Sequence, residues 1–96
     1  MTDSANPTIN GRQLYPTEQE KLDRLDFRLT AAFLDAGFSD VRICEGSGEG
    51  DQRKISFFRE SDGSRIVSFT SLAFLGSTGE ELISMITSHL RQVPKE

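Results

Sequence analysis

Ninety-six residues carrying 15 acidic and 11 basic side chains, a formal net charge of −4 and one cysteine have room for one domain with a modest core, and they exclude an internal disulfide. A hydrophobic content of 35% and a charged content of 27% are those of a folding chain and not of a disordered one. No run approaches the roughly 18 apolar residues of a membrane helix, the opening residues lack the apolar stretch of a secretory signal, and mild acidity opposes non-specific attraction to phosphate backbones or anionic lipid. A cytoplasmic protein with no membrane partner is the expectation.

Residues 1–14 are polar, with Pro7, Gly11 and little apolar content beyond Ile9, and are read as a flexible tail preceding a single domain over 15–93. A helix is predicted from Thr17, where Thr17-Glu18-Gln19-Glu20 matches a capping box behind Pro16. Leu22, Leu25, Leu29, Ala32, Phe33 and Ala36 recur at three- and four-residue intervals as its apolar stripe. Gly37 suits the left-handed residue after the helix, and Phe38 can fold back onto the last turn, as in a Schellman termination. Asp40–Glu45 alternates as a strand, with Val41 and Ile43 on one face and Arg42 and Cys44 on the other. Gly46–Asp51, with three glycines and no apolar anchor, reads as a flexible connection.

The next segment is a β-hairpin, Lys54–Glu60 and Ser64–Thr70. A two-residue Asp62-Gly63 loop would scatter apolar groups over both faces. A three-residue loop, Ser61-Asp62-Gly63 with Gly63 left-handed, pairs Phe57 with Val67 and Ile55 with Phe69, so that one face becomes apolar. Phe58 and Ile66 then form an outward pair. Ser71–Gly76 extends the strand, makes one helical turn, or closes the core, and the sequence leaves these open; Leu72 and Leu75 are expected to cap the core, with Phe74 partly buried, in preference to an exposed docking loop. A last helix begins at Ser77 or Thr78, each followed three residues later by glutamate, and runs through Leu82, Ile83, Met85, Ile86 and Leu90 until Pro94.

These elements give an α+β, two-layer fold in the order α-β-β-β-α: a three-stranded antiparallel sheet with two helices on one face, over a core of Val41, Ile43, Ile55, Phe57, Val67 and Phe69. That order is also found in double-stranded RNA-binding domains. The analogy fails on charge, since Glu80 and Glu81 stand where basic residues would meet phosphate.

No pattern of residues here signals catalysis, a cofactor or a metal: there is no Cys-x-x-Cys, no paired histidines and no repeated Asp-x-Asp loop. Gly46–Gly50 opens no helix and lacks the lysine and hydroxyl pair of a phosphate loop. The leading expectation is a non-enzymatic protein-interaction module, an adaptor or regulator and possible homodimer. Its candidate contacts are Phe58, Ile66, Leu72, Phe74, Leu75, Arg42 and Lys54, or an exposed strand edge. The alternative is nucleic acid on the sheet face through Arg42, Lys54 and Phe58. Third comes a small enzyme built on Cys44 and His89, which the layer arrangement sets apart.

Overall fold

A computed structural model describes residues 9–91. Its elements are β1 (Asn10–Arg12), α1 (Pro16–Asp35), β2 (Val41–Ser47), a single 3-10 turn (Gly50–Gln52), β3 (Lys54–Arg59), β4 (Arg65–Thr70), α2 (Ser71–Gly76) and α3 (Gly79–Arg91). The fold is α+β as expected, but the sheet is mixed and has four strands in the order β1-β2-β3-β4, with β1 parallel to β2 and the other pairs antiparallel. The fourth strand comes out of the segment assigned to the tail. Ile9 is buried and Asn10, Gly11 and Arg12 pair with Ile43, Cys44 and Glu45. A parallel pair needs a long crossover between its strands, and α1 supplies it. Three residues carry too short an apolar pattern to signal a strand, so only the tertiary partner reveals it. Residues 1–8 of the expected tail lie outside the described residues.

Helix α1 begins earlier than the Thr17 capping box implies. Pro16 occupies the first helical position, where its missing N–H costs nothing, and the Glu18 carboxylate reaches back to accept from the Tyr15 amide at 2.9 Å. Its end is as expected. The Phe38 amide donates to Phe33 O at 2.8 Å and Gly37 to Leu34 O at 3.0 Å, the two bonds of a Schellman motif, with Phe38 buried behind them. Thr78 is the cap of α3: its hydroxyl accepts from the Glu81 amide at 3.1 Å while Glu81 returns a bond to the Thr78 amide at 2.8 Å.

The hairpin register holds through its centre, where Ile55 opposes Phe69 and Phe57 opposes Val67. Phe57 is fully buried and Phe58 is half-buried on the other face. Its end is closed differently from the expected three-residue loop. Arg59 and Ser64 bond across a four-residue loop, with Gly63 at φ +73°, and Phe58 opposes Arg65, so that Ile66 becomes the extra residue of a bulge. The longer loop and the bulge cancel, and the inner face keeps its phase.

A second bulge changes β2. Val41 opposes Arg59 and Ile43 opposes Phe58, leaving Arg42 unmatched. Beyond it every side chain has switched face. Cys44 is buried, and Ile43, expected in the core, sits outward beside Phe58. The core therefore gathers Leu22, Leu25, Leu29 and Phe33 of α1, Leu82, Ile86 and Leu90 of α3, and Cys44, Ile55, Phe57 and Val67 of the sheet, with Ile9, Phe38, Val41 and Phe74 closing its edges. Phe33 and Phe57 meet with ring centroids 5.4 Å apart and Phe57 and Phe69 edge-on at 6.5 Å.

Candidate functional site

A buried polar cluster lies where β1, α1, β3 and α2 converge. Arg53, just before β3, donates from Nε to Glu18 Oε2 at 2.8 Å and from Nη2 to Glu18 Oε1 at 2.7 Å, a bidentate pair whose side chains are 7% and 0% exposed. The remaining donors reach the backbone: Nη2 to Gln13 O at 2.7 Å and Nη1 to Gly48 O at 3.2 Å. Gln13 sits in the left-handed region at φ +54°, a strained conformation for a residue with a side chain. Ser71 Oγ donates to Glu18 Oε2 at 2.5 Å and the Ser71 amide to Arg53 O at 2.9 Å. The guanidinium lies 3.7 Å from the ring centroid of Tyr15. Gly46 leaves the space it needs, since a Cβ there would strike the guanidinium and come within 2.9 Å of Gln13 O.

The electrostatics follow from this wiring. Hydrogen bonds from Arg53, then from Ser71 and the Tyr15 amide, outweigh burial and hold the Glu18 carboxyl down at about 2. Both charges stay on, and the pair fixes the start of α1 against β3. The site is a clamp with no vacant donor set: among the described residues no group of three or more His, Cys, Asp or Glu side chains is placed to hold a metal ion.

The clamp supports an open cleft of about 380 Å³ lined by Tyr15, Asp51, Arg53, Thr70, Leu72 and Leu75, among others. Six residues are too few for a helix to persist alone, and α2 is held instead by its neighbours. Thr70 Oγ1 accepts from the Ala73 amide at 3.1 Å, Ser71 is tied to Arg53 and Glu18, Phe74 is fully buried, and Lys21 Nζ donates to Leu75 O at 3.2 Å and to Ser77 O. With Phe74 turned inward, Leu72 and Leu75 share the outer face at three-residue spacing, 83% and 39% exposed, and Tyr15 beside them is 49% exposed.

The expected contact residues do not form one surface. Phe74 is in the core and unavailable to a partner, which corrects its place among the candidates. Ile66 is partly buried and packs on the core from the β4 bulge, where its carbonyl accepts from His89 Nε2 at 3.1 Å. The expected Phe58–Ile66 pair is therefore replaced by Phe58 with Ile43, flanked across the strand by Arg65. Arg42 protrudes from the β2 bulge 3.8 Å from Glu60, and Lys54 is exposed between Ser47 and Thr70 at the other end of the open face. Leu72 and Leu75 alone are brought together on one cleft.

Cys44 and His89 do not meet. Cys44 lies under the sheet in β2 while His89 is bonded to β4, with β3 between those strands. Burial first, and the Glu18 charge second, push the Cys44 thiol up to about 12, so it stays protonated. Glu18, Arg53, Tyr15 and Ser71 all escaped the sequence reading. The usable signal was Pro16, whose preference for the first helical position makes Tyr15 the cap and Glu18 the residue that reaches back to it. Nothing adjacent to Arg53 marks it as buried.

No family model, no curated protein and no solved structure matches the chain. Among the described residues no helix is long and apolar enough to cross a membrane.

Proposed function

We propose that this is a non-enzymatic interaction module, an adaptor or regulator working in the cytoplasm, that receives a short protein segment in the cleft between Tyr15 and α2. The observation carrying this reading is Leu72, 83% exposed on a turn whose backbone is fastened from beneath by the Arg53–Glu18–Ser71 clamp. A large apolar side chain kept in water on a rigid support is the arrangement of a contact anchor, because the partner need not spend entropy ordering the surface it meets. Asp51 on the cleft and Glu49 in the adjoining loop supply negative charge, so the occupant is an apolar side chain with a lysine or arginine next to it. Burying Leu72 and the remainder of Leu75 contributes about 3 kcal/mol before the association cost is subtracted, which places the contact among transient ones.

Selection of short random peptides displayed against the full chain tests this. The expected winners pair an apolar residue with a cation and lose at least about tenfold in affinity on Leu72→Asp, a change of 1.4 kcal/mol or more. Peptides indifferent to that substitution would place the contact elsewhere. Binding of oligothymidine that disappears on Phe58→Ala would favour nucleic acid on the sheet face instead.

A further inference from the structure

Helix α1 has a second apolar stripe that the core does not use. Its buried side chains, Leu22, Leu25, Leu29 and Phe33, occupy one face, and Phe27 and Leu34 lie on the opposite one, 80% and 56% exposed. The seven-residue spacing puts Phe27 and Leu34 in line, about 10 Å apart along the axis, with Ala31 between them. Ala31 is exposed too. A small residue flanked by two large ones is what lets two helices approach closely.

The charges beside this stripe decide what fits it. At 100° per residue, Arg24, Arg28 and Asp35 all project from the same flank, with the two arginines in the first half of the helix and the aspartate at its end. Among the described residues none of the three forms an ion pair with its own chain. We infer that α1 pairs antiparallel with α1 of a second copy of this chain, about a twofold axis near Thr30 and Ala31. That operation sets Phe27 against Leu34 of the second copy and keeps like flanks together. Asp35 of one copy then falls between the levels of Arg24 and Arg28 of the other, within about 3 Å of each along the axis. Parallel pairing would instead carry this flank of each copy to opposite sides of the seam, so that Asp35 of one copy could not reach Arg24 and Arg28 of the other. The Arg24, Arg28 and Asp35 flank is therefore self-complementary in the antiparallel orientation, and the surface lies apart from the cleft, so each dimer presents two clefts.

Sedimentation equilibrium of the full chain across a concentration series tests the assignment. The wild-type chain is expected to dimerise reversibly, and Phe27→Asp, at a position already in solvent, to abolish the dimer while leaving the thermal melt of the monomer in place. Two charge variants sharpen the orientation. R24E with R28E in one chain, and D35R in another, should each weaken self-association by at least about tenfold. Mixed in equal amounts they should dimerise with each other, because every glutamate then faces an arginine and every retained arginine an aspartate. A wild-type chain that stays monomeric at several hundred micromolar overturns the inference. So does a dimer that survives Phe27→Asp, or a mixture that fails to associate.

Discussion

Strand β3 is anchored at both ends by an arginine held on a carboxylate and stacked near an aromatic ring, yet the two anchors differ in kind. Arg53 at the start meets Glu18 with side chains 7% and 0% exposed, and its guanidinium lies 3.7 Å from the Tyr15 ring centroid. Arg59 at the end meets Asp40 through Nε at 2.9 Å with side chains 31% and 21% exposed, and lies 5.6 Å from Phe38. The chemistry of the pairs is the same and the dielectric around them is not. A buried pair is held by its geometry, and either charge left alone there is far costlier than at the surface. A half-exposed pair is screened, and water replaces whichever partner is lost. One end of β3 is thus fixed in place, and the other is only assisted.

The largest expected effect comes from breaking the buried pair. Arg53→Met leaves the buried Glu18 charge without its counterion, held only by the Ser71 hydroxyl and the Tyr15 amide, and removes the bonds to Gln13 and Gly48, so urea unfolding should show a loss of about 3–5 kcal/mol. A loss no greater than that of Arg59→Met would erase the distinction between the two ends.

The pH dependence gives an intermediate effect with a definite sign. The Glu18 carboxyl is depressed from 4.5 to about 2, so the stability it confers is complete above pH 4.5 and is lost as the pH falls toward about 2. Asp40, lowered from 3.8 by hydrogen bonds from Ser61 and Arg59, acts in the same direction in a lower window. Glu18→Gln should therefore flatten the fall in stability below pH 4.5 more than Asp40→Asn does. In Arg53→Met the fall should flatten as well, since the largest cause that holds the Glu18 carboxyl down is gone while burial still opposes its charge. Thermal melts across this range read both outcomes.

Arg59→Met is the smallest perturbation, and molar salt should mimic part of it in the wild-type protein while leaving the Arg53 pair unaffected. Equal salt sensitivity at the two ends would mean that burial is not what separates them.

Where a segment's own pattern decides its structure, it was legible. The stripe of α1, the Gly37–Phe38 termination, the Thr78 cap and the pairing of Phe57 with Val67 each depend on residues close in sequence or on face selection by burial. What was missed depends on partners far along the chain. Asn10–Arg12 becomes a strand because β2 offers an edge, Ile43 and Cys44 exchange faces because one residue bulges at Arg42, and Arg53 is buried because Glu18 lies 35 residues earlier. Leu72 and Leu75 were expected to cap the core above a partly buried Phe74, and the structure reverses them, with Phe74 buried and the two leucines facing out; the choice rested on α2 being a helical turn, which six apolar and small residues do not announce. Phe27 and Leu34 carried a readable spacing that the stronger stripe on the opposite face of α1 obscured.

The interior position of Cys44 has a practical consequence. Its sulfur has no contact with water and its proton is held tightly, so an alkylating reagent reaches it only when the sheet parts from the helices. Modification of this one atom counts excursions of the whole core, and a time course of mass increase under native conditions reports how often the molecule breathes without any engineered probe.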